Sequence, residues 1–468
     1  MKLQLISICS SLLAATSILA PINVMTAKKS YETPILATEL EEKKVELISP
    51  INNDTVDILK PKVVNYINAM YGQAKDIEDD QVLHDFYVMA PDANDRYYGV
   101  EFTNDTDFVR IADYASNSSN IQKSKKIVLT FTGNDCSPNK VKVSLNEDMT
   151  DAVEFTDITN VENAYYTTIN QLYAGKTYYW QVFEDNTALS DIASFKTKEG
   201  FRMINTTSVT NVRDMGGRTV HLKTGTDENG KNVYNTKHIK QGLIYRGGEL
   251  VNENYKPEGS STHSATLKTG DAELLVDELG IAYEIDFRGA AESNNLTESA
   301  LKTYYSDNYE ETRDIDYLRL DNMSAYDDFF SITSSKTYYS DIRTMFLAFA
   351  NAENKPVYFH CWGGADRTGT CGFLLGALLG MSLTDLVIDY ELTSFSGNYR
   401  PHNKNDASKV YRFPSMLRKI TLLKNTSTNE TYWSDDKPLS QIIEEILIDR
   451  FNLTSNDISS IRANLLED

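Results

Sequence analysis

Between about Tyr97 and Lys198 the chain alternates apolar and polar residues with a period of two. The runs KKIVLTFTG, NKVKVSLNE, NAYYTTINQL, KTYYWQVFE and IASFKTK are short, rich in aromatic and β-branched residues, and separated by Gly, Asn and Asp. Side chains two apart share one face of a strand, so this pattern predicts half-buried antiparallel strands packed as an all-β sandwich. After Gly200 the period changes. GDAELLVDELG has helical spacing, IAYEIDFRG reads as a buried strand, YYSDIRTMFLAFANA as an amphipathic helix, KPVYFHC as a strand, and GTCGFLLGALLGMSLTDLVIDYEL as one or two helices. Alternation of this kind predicts an α/β fold, a mainly parallel central sheet flanked by helices. The tail, LSQIIEEILIDRFNLTSNDISSIRANLLED, is helical and is expected beside that sheet. Upstream, PKVVNYINAMYGQ predicts a short helix at 61–73 that starts on Pro61.

The chain has 468 residues, 41% of them hydrophobic, and one core rarely grows beyond roughly 250–300 residues. Two folded domains are therefore expected, with the boundaries 1–27 signal peptide, 28–90 linker with a short helix, 91–198 β-sandwich and 199–468 α/β domain. The first 27 residues have an early lysine, an apolar stretch and small residues near Ala20 and Ala27, the pattern of a secretory leader. They predict a secreted or cell-surface protein. The formal net charge of −21 argues against a nucleic-acid partner, which needs a basic face to displace counterions. An anionic membrane surface is disfavoured for the same reason. With Cys9 in the leader, Cys136, Cys361 and Cys371 remain, and an odd number in an exported chain is a poor disulfide framework that marks a leftover thiol. No spacing of His or Cys suggests a metal site, and no cofactor is expected.

The thiol with a chemical context is Cys361. A strand ends in His360-Cys361, the loop Trp362-Gly363-Gly364-Ala365-Asp366 follows, and Arg367-Thr368 opens a helix. The glycines allow the backbone to approach closely and to turn its N–H groups inward, and a helix N-terminus favours anions. The same field stabilises a thiolate at Cys361. Arg367 can grip two oxygens of a tetrahedral oxyanion with its planar fork. Thr368 puts a hydroxyl beside the sulfur. His360 reads both as a group that fixes the loop and as a satisfied core histidine. A phosphate site is expected here, with Trp362, Gly363, Gly364, Ala365, Asp366 and Arg367 around the anion and Trp362 able to line its mouth.

HCWGGADRTG resembles the HCxxGxxRTG signature of protein tyrosine phosphatases, and more narrowly the bacterial tyrosine and phosphoinositide phosphatases whose loop ends Asp-Arg-Thr-Gly. TNVRDMGG, LIYRGGEL and IDFRGAAE are similar to further motifs of that family in the same order, so the resemblance covers about residues 203–468. The stretch LYAGKTYYWQVFEDNTALSDIASFKTK resembles the end of a fibronectin type III-like domain. The first resemblance implies attack by Cys361 on phosphorus, a cysteinyl-phosphate, and stabilisation by Arg367 and the loop amides. It leaves two carboxylates open as general acid, Asp366 and Asp321, with Asp327 and Asp328 close by. It also makes Arg213, Asp214, Arg246 and Arg288 candidates for substrate contact, and Arg288 with Glu292 a candidate ion pair. Two departures stand out: the family's loop lysine is Ala365, and its serine after Arg246 is Gly247. Both weaken an inositol-lipid reading. The substrates expected are phosphorylated proteins, phosphotyrosine first with room for dual specificity, or small phosphomonoesters; an inositol-phosphate or phosphoinositide phosphatase is the nearest enzyme alternative, and an inactive phosphate-binding module the alternative of another class. The sandwich is expected to act as a spacer or a docking module at the cell surface.

Overall fold

The structure is a computed structural model that describes residues 45–76, 111–115, 124–252, 264–331, 335–351, 355–396, 412–434 and 437–468. The expected leader and most of the stalk lie outside the described residues. The chain divides into two compact units, one of residues up to 58 with 125–199, the other of 59–124 with 200–468.

The first unit holds two sheets. One runs in the order Val45–Ser49, Ile127–Gly133, Ala164–Ile169, Thr159–Val161, every pair antiparallel. The other runs Thr55–Val56, Ala193–Thr197, Thr177–Glu184, Lys140–Ser144, Val153–Phe155, with Thr55–Val56 parallel to its neighbour. Alternation does what the period of two requires: Ile127, Leu129 and Phe131 are buried and their sequence neighbours less so. Trp180 of the second sheet meets Phe131 of the first with ring centroids 6.4 Å apart, and its indole N–H donates to the Pro50 carbonyl at 2.9 Å. The two strands before residue 58 come from a segment read as linker. They are too short to announce themselves by alternation.

The second unit is built on a six-stranded sheet in the order Arg202–Met203, Arg213–Asp214, Ile244–Gly247, Val357–His360, Tyr283–Asp286, Asp316–Arg319. The last four strands are parallel and the first two pair antiparallel at one edge. Val357–His360 and Ile244–Gly247 are buried at every position, as strands covered on both faces must be. Helices Lys336–Ala350, Arg367–Leu378, Leu383–Leu392, Leu439–Phe451 and Ser455–Leu465 accompany the sheet. Leu439–Phe451 packs on Arg367–Leu378, and Ser455–Leu465 on Lys336–Ala350. The hairpin Thr219–Thr226/Asn232–Ile239, with Leu466–Glu467 added at its edge, was not legible beforehand. The segment 270–280 forms a helix that widens to π-type turns at Leu274–Glu278.

The helix expected at 61–73 runs Pro61–Asp76 and belongs to this second unit. Val63, Tyr66 and Met70 form one buried stripe. It packs against Leu383–Leu392, where the Tyr66 hydroxyl bonds Glu391 and the Tyr71 hydroxyl donates to Asp385 at 2.6 Å. Among the described residues no helix is long and apolar enough to cross a membrane.

Candidate active site

Three parallel strands end level with one another: Gly247 and Asp286 both pair in register with His360. Ligands of such sheets bind at these carboxyl ends, and Cys361 is the first residue past the central one. Its side chain is almost wholly buried. The loop that follows leads into the helix Arg367–Leu378.

The loop is held from behind by its carbonyls. Trp362 O accepts from the Glu249 N–H at 2.9 Å. Asn211 Nδ2 donates to Gly363 O at 3.2 Å and to Gly364 O at 3.0 Å, and Arg246 Nη2 donates to Gly364 O at 3.1 Å. In a trans peptide the N–H points opposite to the C=O. Anchoring these three carbonyls therefore turns the N–H groups of Gly363, Gly364 and Ala365 the other way, to form a concavity that suits an anion. Gly364 has φ +65°, and a Cβ there would overlap the Gly247 backbone. Only glycine fits both demands.

Of the four residues expected near substrate, Arg246 holds the loop directly, and the other three pair with groups of the surrounding scaffold. Arg213 and Arg246 are 1% and 0% exposed and share one carboxylate, Asp389. Arg213 Nε donates to Asp389 Oδ1 at 2.8 Å, and its Nη1 bonds the Asn211 side chain. Arg246 lies against the first turns of the Arg367–Leu378 helix, where a Cβ on Gly372 would overlap its guanidinium. Burial and the neighbouring Arg213 cation push Arg246 down to about 10, against the pull of Asp389. Asp389 itself is held below the usual carboxylate range: burial opposes its charge, and the two guanidinium groups more than offset that. Asp214 pairs with Arg202 at 2.9 Å and accepts from the Gly216 and Gly242 N–H groups, both at 2.8 Å. Arg288 donates to Asp286 at 2.9 and 2.7 Å and to Glu249 at 3.2 Å. Each of the four is buried and ion-paired to protein groups.

His360 is fully buried as well. Its Nε2 lies 3.0 Å from Glu284 Oε1 and its Nδ1 3.4 Å from the Cys361 carbonyl. Glu284, Asp286 and His360 are close enough together to have the outline of a metal site. Their oxygens are already engaged, Glu284 Oε2 by Ser299 Oγ at 2.6 Å and the Ala300 N–H at 3.0 Å, and both Asp286 oxygens by Arg288. The trio is a hydrogen-bonded brace under the cysteine.

Arg367 stands at the loop's far end, partly exposed. Its Nη1 donates to the Phe287 carbonyl at 2.7 Å and to Glu292 Oε2 at 2.6 Å, and its Nη2 to Glu292 Oε1 at 3.1 Å. Glu292, expected to pair with Arg288, pairs instead with Arg367, and Arg288 pairs with Asp286 and Glu249. Burial works against the Glu292 charge, but Arg367 and the Gly289 N–H hold its carboxyl below the ordinary glutamate range. Thr368 is wholly buried, and its hydroxyl meets no hydrogen-bond partner among the described residues.

The two candidate acids differ. Asp321 is 46% exposed and ion-paired to Arg319 Nε at 2.7 Å. Asp366 lies in the loop itself and accepts from the buried Tyr326 hydroxyl at 2.7 Å. Asp328 is exposed, and the side chain of Asp327 lies outside the described residues. Asn211, Asp389, Glu284 and Tyr326 complete the site. Asn211 lies inside the TNVRDMGG motif; nothing local marks the other three.

Gly247 also has a reason. A Cβ there would overlap the Tyr358 hydroxyl, which donates to Gly248 O at 2.6 Å. Tyr358 occupies the space that a serine at 247 would need.

No curated protein matches the chain. Among solved structures, the core catalytic domain of the PP-IP phosphatase SIW14 from S. cerevisiae, in complex with citrate, is similar at 13% identity and a TM-score of 0.22, over 34% of this chain and 77% of that one. The model of the tyrosine phosphatase family matches residues 204–467. That span is more than half of the chain, and the chain belongs to the tyrosine phosphatase family and is a phosphoric monoester hydrolase.

Proposed function

We propose that this chain is an exported, cysteine-dependent phosphatase whose first substrate class is protein phosphotyrosine, and that it works through a cysteinyl-phosphate. The observation that carries the reading is the joining of Cys361 to a loop whose Trp362, Gly363 and Gly364 carbonyls are anchored behind it, with Arg367 clamped by Glu292 at the other end. In the first step Cys361 Sγ attacks phosphorus, the P–O bond to the leaving group breaks, and an acid protonates the leaving oxygen. The N–H groups of Gly363, Gly364 and Ala365 and the Arg367 guanidinium stabilise the equatorial oxygens. In the second step water attacks phosphorus and the P–S bond breaks, with the Thr368 hydroxyl able to donate to the departing sulfur.

Asp366 is the acid and then the base, because it lies on the loop and is oriented by a buried donor, whereas Asp321 is exposed and tied to Arg319. Ala365 in place of a lysine, and the burial of Arg213, Arg246 and Arg288, favour a substrate with a single phosphate over a polyphosphorylated one. The leader-like first residues support export. The two antiparallel-rich sheets of the first unit, joined by the Trp180–Phe131 contact, support a fibronectin-like docking or spacer role. Phosphate release from a phosphotyrosine peptide, without added metal and with Cys361→Ser as control, tests the reading. Release by the wild type alone is expected; release from inositol phosphates but not from the peptide would replace the substrate class.

A further inference from the structure

Tyr326 is tied to Asp366 at both of its ends. Its hydroxyl donates to Asp366 Oδ1 at 2.7 Å. Its backbone N–H donates to Thr370 Oγ1 at 2.8 Å, and that hydroxyl in turn donates to the Asp366 carbonyl at 3.0 Å. The Thr370 N–H reaches the same carbonyl at 2.9 Å. To make the backbone bond, Tyr326 adopts φ +57°, a left-handed conformation that is a genuine outlier for a bulky residue. The ring is buried, edge-on to Tyr390 with centroids 6.4 Å apart. The surroundings thus hold a strained aromatic residue in one place, and that place is defined by Asp366.

We propose that Tyr326 is a positioning residue for proton transfer by Asp366, and that it decides which carboxyl oxygen carries the proton. This rests on the phosphatase reading above. With Oδ1 accepting from Tyr326, the proton that Asp366 gives to the leaving group is carried on Oδ2. As Cys361 Sγ bonds to phosphorus and the P–O bond breaks, that proton passes to the leaving oxygen and Asp366 becomes a carboxylate. In the second step the carboxylate takes a proton from the attacking water, the new P–O bond forms, and the P–S bond breaks to return the thiolate. Atoms and charge balance with water as the only co-reactant. Tyr326 donates throughout and transfers nothing. Burial, with the nearby Tyr390 and Asp366, pushes its hydroxyl well above the ordinary tyrosine value, so it remains a donor at working pH.

The test is Tyr326→Phe in the full chain, which keeps the ring and removes the donor. Two aryl phosphates separate a proton-transfer role from a structural one: phenyl phosphate, whose leaving group needs protonation, and 2,4-dinitrophenyl phosphate, whose leaving group does not. For phenyl phosphate kcat/KM is expected to fall roughly 10–100-fold, a part of the roughly 10²–10⁴-fold that general acid catalysis supplies. For the dinitrophenyl ester it should stay within about threefold, which also reports that the variant is folded. Asp366→Asn should show the same pattern more strongly, and Asp321→Asn should not show it. Equal losses on both esters, no loss on either, or an Asp366→Asn variant indifferent to the leaving group would overturn the proposal. If the wild type hydrolyses neither ester nor phosphopeptide, the underlying phosphatase reading fails first, and the role of Tyr326 fails with it.

Discussion

Asp389 is the point on which the rear of the phosphate loop depends. Two buried guanidinium groups converge on this one carboxylate, Arg213 at 2.8 Å and Arg246 closer still, and Arg246 passes the restraint on to Gly364 O. Asp389→Asn keeps the shape and removes the charge. Breaking one partner out of a buried pair costs about 3–5 kcal/mol, because the charge left behind has lost its compensation. Here two like charges are left, and Arg213 already lowers the affinity of Arg246 for its proton. The second unit is therefore expected to lose about 3–5 kcal/mol at neutral pH. With a urea slope of ~3 kcal/mol/M the midpoint of its transition falls by about 1 M or more. Urea unfolding followed by fluorescence and far-UV dichroism would measure this, with the unit's own transition fitted separately. The pH dependence supplies a second check. The folded Asp389 carboxyl lies below its ordinary value, so its contribution is complete above the unfolded value of about 3.9 and is lost as pH falls through the lower folded value. The gap between wild type and variant should thus be constant at neutral pH and close in strong acid. A difference under about 1 kcal/mol at pH 7, or a gap that ignores acid, would refute the assignment.

Gly247→Ser should destabilise the second unit by about 1–3 kcal/mol through overlap with the Tyr358 hydroxyl, and adding Tyr358→Phe should recover part of that loss in a double-mutant cycle of thermal or urea melts. Additive effects would contradict the packing explanation of that family departure. Glu292→Gln leaves Arg367 with a weaker holder, and a misplacement of about 1 Å can cost on the order of 10²-fold, so kcat/KM should fall by roughly that factor while the fold persists. Since Arg367 and the Gly289 N–H hold the folded Glu292 carboxyl below its ordinary value, the wild-type clamp should persist below the glutamate range and fail only in stronger acid. A wild-type clamp that loosens above pH 5 would count against it.

What could be read in advance follows from where information lies along the chain. The loop Cys361–Arg367 is contiguous, and its strand and helix have clear periods, so Cys361, the glycine turn and the Arg367 guanidinium were visible together. The rear of the site was not. Asp389 lies 176 residues from Arg213 in sequence and looks like any acid in an amphipathic helix. Glu284 sits at a strand position where burial predicts an apolar residue, and only the fold brings His360 to it. Arg213, Arg246 and Arg288 were visible as motif residues, yet a motif does not say on which side of a loop a long side chain lies. Each is turned inward to anchor the scaffold. The helix at Pro61 was legible, but its attachment was not, because a buried stripe names a face and not its partner. Val45–Ser49 and Thr55–Val56 are too short for a period, and their sheets exist only through strands far along the chain.

The most direct measurement is acid quenching of the wild-type enzyme during turnover of a phosphotyrosine peptide, followed by mass spectrometry of its cysteine-containing peptides. A single phosphoryl group on the peptide that contains Cys361, absent from those of Cys136 and Cys371 and absent in Cys361→Ser, is the predicted result. Turnover that persists in Cys361→Ser, with no phosphorylated cysteine in the wild type, would contradict the account at its centre.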